Sequence, residues 1–165
     1  MWGSVQFVAA TAAVRGGDGA GAWRLLRDAR AAAERVGPGR NDYCQAFGPA
    51  SVVANEVGVA LELGDLVEAL RLADTVDVED MPTRWRRARF LIDVAHARFL
   101  RRDDAAAVMV LLEAKRHGSG VVRYSVLVRE MLRALLKRER KSRTPGLREL
   151  AERVGAKSRN LLLRS

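Results

Sequence analysis

The chain has little of what catalytic centres and disulfide-bonded domains are built from. Of its 165 residues one is cysteine, Cys44, and two are histidine, His96 and His117. A single cysteine excludes an internal disulfide and any cysteine-rich zinc site. Cys44 has no histidine or other base near it in sequence to lower its thiol pKa, and reads as a small buried hydrophobe. His96 lies mid-helix between Ala95 and Ala97, with no histidine or carboxylate four residues away, and reads as a core-edge or surface residue. His117 closes a helix, where an imidazolium suits the helix dipole. Aromatic residues make up only 5% of the chain, and Ala, Leu, Val and Arg dominate, which favours helices over sheets. No apolar run approaches the roughly 20 residues needed to span a bilayer. The N-terminal stretch MWGSVQFVAATAAVRGGD has no basic region before its apolar part, which argues against a signal peptide. The expected location is cytoplasmic, without membrane contact.

Catalytic motifs are also missing. GGDGAG (16–21) is glycine-rich but lacks a following Lys-Ser/Thr and a preceding strand, so it does not read as a phosphate loop. No serine sits in a nucleophile elbow. Glu56 and Glu62 share a helix but point to different faces, which is wrong for paired acid–base work. The sequence therefore points away from an enzyme, with no catalytic residue, metal or cofactor expected.

What the chain does have is helical periodicity. Apolar residues recur at spacings of three and four almost throughout. The pattern predicts helices at 2–15, 19–36, 49–63, 66–76, 84–101, 104–117, 121–139 and 146–154, about eight in all, and no strand. The β-rich VVRYSVLV (121–128) runs straight into REMLRALLKRER and is read as helix. Connections are short, so successive helices are expected to pack antiparallel. Asp65, Asp103 and Thr83 suit N-caps, Pro49 suits the first turn of its helix, and Gly64 and Gly118 suit left-handed C-terminal positions.

Three segments align: GDGAGAWRLLRDA (17–29), GDLVEALRLADTV (64–76) and RDDAAAVMVLLEA (102–114). Each has an aspartate (Asp18, Asp65, Asp103), an alanine four later (Ala22, Ala69, Ala107), and apolar residues seven, eight and eleven later. The aspartate heads the second helix of a pair, and the alanine lets two helices approach closely. This unit resembles a tetratricopeptide repeat, although the repeat's usual Trp, Gly and Tyr in the first helix are missing. It implies an all-α fold of tetratricopeptide-like antiparallel helix pairs stacked in a right-handed superhelix. Residues 1–142 would form the helical-repeat domain, and 143–165 a C-terminal capping helix and basic tail.

The order NDYCQAFGPASVVANEVGVALELGD, EALRLAD, RRARFLIDVAHA, LLEA, VREMLRALL goes further. It resembles the C-terminal, tetratricopeptide-like region of actinobacterial helix-turn-helix transcriptional regulators of the xenobiotic-response-element type. The resemblance spans roughly residues 10 to 155 and is sharpest at FGP, VALELGD and RRARFLIDVA. It implies a ligand-sensing or protein-interaction (dimerisation) domain of a transcriptional regulator. The expected partner is a peptide or protein, or a second copy of the chain in a homodimer. No DNA-reading domain precedes the repeats in this chain, so DNA would be reached only through such a domain. The family's Thr/Asn pair after FGP is replaced by Ala50 and Ser51, and Asn55 stands where the family tends to carry a histidine. A stack of helix pairs presents a concave groove. Its expected contacts are the polar residues on or before otherwise apolar first helices: Tyr43, Gln45, Ser51, Asn55, Arg89 and Asp93. Arg89 and Asp93, four apart, also suit an ion pair with each other.

The alternative is a nucleic-acid-binding protein. Net charge is +9, and residues 137–165 alone hold ten Lys/Arg against three Asp/Glu. A basic tail holds nucleic acid by charge alone. Its expected contacts are Lys137, Arg138, Arg140 and Lys141 in the tail, with Arg84, Arg86 and Arg87 on the TRWRRARF face (83–90).

Overall fold

Three corners organise the molecule. The computed structural model describes residues 2–36, 47–139 and 144–156, with the side chains of 2–4 and 36 excepted. Within these residues the chain is all-helical, with α1 (Trp2–Arg15), α2 (Gly19–Val36), α3 (Pro49–Glu62), α4 (Leu66–Ala73), α5 (Arg84–Leu100), α6 (Asp104–His117), α7 (Ser119–Tyr124), α8 (Val126–Arg138) and α9 (Leu147–Val154). A 3-10 turn at Val78–Asp80 joins the fourth and fifth helices. Among the described residues no helix is long and apolar enough to cross a membrane.

The corners between α1 and α2, α3 and α4, and α5 and α6 use the same bonds. A left-handed residue comes first: Gly17 (φ 86°), Gly64 (φ 77°) and Arg102 (φ 64°). The aspartate that follows donates its N–H to the carbonyl five residues back: Asp18 to Ala13 at 2.9 Å, Asp65 to Ala60 at 2.9 Å, Asp103 to Arg98 at 3.0 Å. This Schellman closure satisfies carbonyls left over at the end of the first helix. The aspartate carboxylate then accepts the N–H three residues on: Gly21 at 2.7 Å, Glu68 at 3.0 Å, Ala106 at 3.3 Å. One aspartate thus ends one helix through its backbone N–H and starts the next through its carboxylate. Ala22, Ala69 and Ala107 are all fully buried at the crossings.

Each pair packs on the next through its first helix. α1 touches α3, α3 touches α5 and α5 touches α7, while α2, α4 and α6 each touch the first helix on either side. The α3 helix is buried on two faces. Val52 and Val59 join Phe7, Ala10, Val14, Ala22 and Leu26 in one core. Val53, Val57 and Ala60 join a larger core that runs through α5, α6 and α8 to Leu147, Leu150 and Val154 of α9. Between α2 and α3 the buried Glu56 carboxylate is held by the Arg30 guanidinium in a two-point pair, with Nε to Oε1 at 3.2 Å.

Three expectations are corrected. The helix expected at 121–139 is two helices, α7 and α8, broken at Ser125 (φ −71°, ψ 119°), so the described residues hold nine helices rather than about eight. Ser125 Oγ accepts from Val128 N at 3.3 Å, and this cap competes with continuation through a β-branched stretch. The helix expected at 66–76 ends at Ala73, where the Thr75 hydroxyl donates to the Leu72 carbonyl at 2.6 Å and supplants the next helical turn. Gly118 is extended (φ −156°) rather than left-handed. Its lack of a side chain serves packing, since a Cβ there would lie 2.9 Å from Ala88 Cβ on α5. Asp65, Asp103, Thr83 and Pro49 hold the capping and first-turn positions read from the sequence.

Candidate functional site

The first helices of three successive pairs enclose a groove of about 560 Å³. Each contributes one stripe at helical spacing. The α1 stripe is Thr11, Val14 and Arg15. The α3 stripe runs from Ser51 through Ala54 and Asn55 to Gly58 and Glu62. The α5 stripe is Trp85, Arg86, Arg89, Phe90, Asp93 and His96. Met81, just before α5, and Leu127 of α8 complete an apolar corner beside Trp85 and Phe90. Arg15, the last residue of α1, lies 3.4 Å from Glu62, the last of α3, so these two helices run the same way.

The groove therefore brings together four of the six contacts expected from the sequence: Ser51, Asn55, Arg89 and Asp93. Tyr43 and Gln45 lie outside the described residues, as does Cys44. Ser51 is buried on the groove side of the first turn of α3. The Asn55 amide donates to the Ser51 carbonyl at 2.7 Å, which orients it along the wall. Arg89 sits 3.3 Å from Asp93, the pairing their spacing suggests.

Burial sets the electrostatics. It pushes the Asp93 carboxyl up to about 6, against the opposing pull of the Arg89 guanidinium and with a further upward push from Glu62. Burial likewise pulls the His96 imidazole below its usual value, so it stays neutral further into the acid range. It pulls Arg86 down in the same way, which marks a guanidinium partly stripped of water. Near neutral pH the walls carry three guanidinium groups, Arg15, Arg86 and Arg89, against the carboxyls of Glu62 and Asp93.

Several wall residues escaped sequence reasoning. His96 reads there as a core-edge or surface residue, yet it faces the groove. Arg86–Arg89–Asp93–His96 and Ser51–Asn55–Gly58–Glu62 each continue at steps of three and four from residues already singled out. Extending those stripes was the available signal. Arg15 and Thr11 carried none, because nothing local in α1 says which of its faces meets α3.

The arginines read as a basic face have separate surroundings. Arg84 donates to the Arg116 carbonyl at 2.8 Å. Arg87 donates to the Met81 and Glu79 carbonyls, each at 2.9 Å, and pairs with the Glu79 carboxylate. Arg86 faces the groove. Lys137 is exposed near the end of α8. Arg138 lies 3.3 Å from Asp104 and 4.4 Å over the Phe99 ring. Residues 84 and 99 sit near opposite ends of α5, about 22 Å apart by helical rise, so the two basic groups are not contiguous along that helix. Arg140 and Lys141 lie outside the described residues. Also among the described residues, no three His, Cys, Asp or Glu side chains gather in a metal-holding arrangement.

No family model, curated protein or solved structure matches the chain.

Proposed function

We propose that the chain is a binding module, a ligand-sensing or protein-interaction domain of a transcriptional regulator, and not an enzyme. In this reading its helix pairs form a tetratricopeptide-like right-handed superhelix, and the groove lies on the concave side. The observation that carries the reading is the convergence of three first-helix stripes on one groove, while among the described residues the second helices α2 and α4 contribute nothing to its lining. The likeness of the three corners supports the repeat architecture. The residue order around FGP and VALELGD supports the regulator context, and with it a cytoplasmic location. An occupant of the groove bridges α3 and α5 and alters how the pairs pack, and that change passes to a peptide or protein partner, to a second copy of the chain, or to a DNA-reading domain.

The test is thermal melting of the chain with peptide and small-molecule fractions of a bacterial extract, alongside an Asn55→Trp variant whose indole fills the groove. The reading expects a fraction that raises the melting temperature of the parent and not of the variant. It also expects light scattering to show a change in association on adding that fraction. A chain that no fraction stabilises, and that stays monomeric at every concentration, would sink it.

A further inference from the structure

We propose that the groove takes an uncharged planar lactam, a cyclic amide on about two fused rings, paired with Asn55 and stacked against Trp85. The proposal rests on the reading of this groove as a binding site and adds the chemistry of its occupant. The first observation is that the charges on the walls already serve each other. Arg15 lies 3.4 Å from Glu62, Arg89 lies 3.3 Å from Asp93, and Arg86 is engaged as well. A charged occupant would have to compete with one of these pairs, whereas an uncharged one leaves them intact. The second observation is the polar group left over. The Asn55 amide, on the groove wall, uses one N–H on the Ser51 carbonyl at 2.7 Å. Its other N–H and its carbonyl oxygen have no partner among the described residues. An amide that still offers one donor and one acceptor is matched by a lactam, whose N–H and C=O are fixed on one edge of a ring.

The third observation is what surrounds Asn55. The lining runs from Ser51 to Glu62 on α3 and from Trp85 to His96 on α5, and the charge of Glu62 acts on Asp93, so the two stripes lie side by side in one direction. Asn55 and Arg86 stand the same distance before Glu62 and Asp93, which sets Asn55 level with the turn that carries Trp85. Trp85 is 59% exposed although it lines the groove, which leaves an indole face open to a flat ring. Phe90 and Leu127 extend that apolar end. The fourth is Gly58, one turn beyond Asn55 in the interior of a 14-residue helix, where glycine is less favourable than alanine. It is not among the positive-φ glycines, and a Cβ built on it would meet no atom within 4 Å. A glycine that nothing crowds, on the wall of a cavity, leaves a shallow floor on which a ring can lie close to the helix backbone. The volume of about 560 Å³ falls within the roughly 300–1,000 Å³ typical of small-molecule sites.

The experiment is isothermal titration of the full chain with three two-ring probes: 2-quinolone, 1-methyl-2-quinolone, which lacks the lactam N–H, and 2-naphthoate, which is charged. The 2-quinolone is expected to bind at least about tenfold tighter than either of the others. Asn55→Leu keeps the bulk of the side chain without its amide, and is expected to bring the two quinolones to similar affinity with no loss of melting temperature. Gly58→Val is expected to weaken 2-quinolone binding at least about tenfold, again with no loss of melting temperature, because its methyls occupy the floor. Equal binding of the two quinolones by the parent, naphthoate binding as tight as 2-quinolone, a preference for 2-quinolone that survives in Asn55→Leu, or unchanged 2-quinolone affinity in Gly58→Val would overturn the proposal. So would the absence of any binding by the three probes. In that last case, an extract fraction that stabilises the parent but not Asn55→Trp would leave the binding-module reading standing, so the two failures are told apart.

Discussion

At its three corners this chain repeats itself bond for bond, whereas the stripes that face its groove follow no common pattern. The corner at Asp18, the corner at Asp65 and the corner at Asp103 share a left-handed residue, a Schellman closure, an aspartate cap and a buried alanine. The groove walls on α1, α3 and α5 differ in length, charge and aromatic content. The difference separates two demands on one set of helices. The corners fix how a pair closes and how near its helices come, and that geometry has one good local solution. The walls meet whatever lies in the groove, and no repeat rule constrains them.

The sharpest way to test this division is to add bulk on each side of it. Ala69→Leu places three extra carbons at a crossing with no exposed surface, and is expected to cost about 3 kcal/mol. Urea unfolding followed by circular dichroism reads it. Gly58→Ala adds a carbon facing the groove, and is expected to gain about 0.5–1 kcal/mol from helix propensity. A crossing that tolerates leucine, or a Gly58 position that loses stability with alanine, would erase the distinction between corner and wall.

The second test uses charge instead of volume, because the corners are solvent-facing and the groove is partly desolvated. The Asp93 carboxyl is raised from 3.8 to about 6. Between those values the folded chain keeps a proton that the unfolded chain has released. Folding stability from this group therefore falls as pH rises through that window, is constant above it, and carries no penalty below it. Asp93→Asn keeps the shape without the charge. It is expected to flatten that part of the pH profile and to stabilise the chain at pH 7 by on the order of 2 kcal/mol. Urea midpoints of the two proteins at several pH values give the difference directly. A constant difference between them across the window would contradict the desolvation of this carboxyl.

The corners were legible in the sequence for the same reason that they repeat. A cap, a left-handed glycine and a small crossing residue each act within a few residues, so Asp65, Gly64 and Ala69 announce themselves locally. Ser51, Asn55, Arg89 and Asp93 were legible too, as polar residues on otherwise apolar helices. Which face of a first helix would meet solvent, core or groove was not. The α3 helix buries Val52 and Val59 on one side and Val53 and Val57 on the other, so periodicity alone does not say which remaining stripe lines a cavity. Gly58, Glu62 and His96 depend on that tertiary choice. The break at Ser125 was hidden for a different reason. The apolar pattern continues across it, and only the competition between a serine cap and helix continuation through β-branched residues decides the outcome.

The aspartate caps carry the next largest effect. Asp65→Ala removes the acceptor for Glu68 N and is expected to cost about 1 kcal/mol, read as a shift in the urea midpoint at unchanged slope. Asp18→Ala and Asp103→Ala are expected to lose similar amounts, since each carboxylate accepts at the same register. Wide scatter among the three variants would mean that the corners look alike without being energetically alike.

The smallest test asks whether the third corner is a compromised copy of the first two. Gly17 and Gly64 reach their left-handed φ without steric cost, but Arg102 reaches φ 64° with a Cβ that crowds its own carbonyl. Replacing Arg102 with glycine removes that strain and adds freedom to the unfolded chain, and the two effects partly cancel. The net gain is expected to be about 0.5–1 kcal/mol. The mirror change, Gly64→Ala, imposes the strain where it is absent and is expected to lose about 1 kcal/mol. Opposite signs in the two urea midpoints would show that one backbone shape is required at both corners, whichever residue happens to supply it. A neutral Arg102→Gly beside a costly Gly64→Ala would mean instead that the third corner relaxes around its arginine, and that the repeat is looser toward α6 than toward α2.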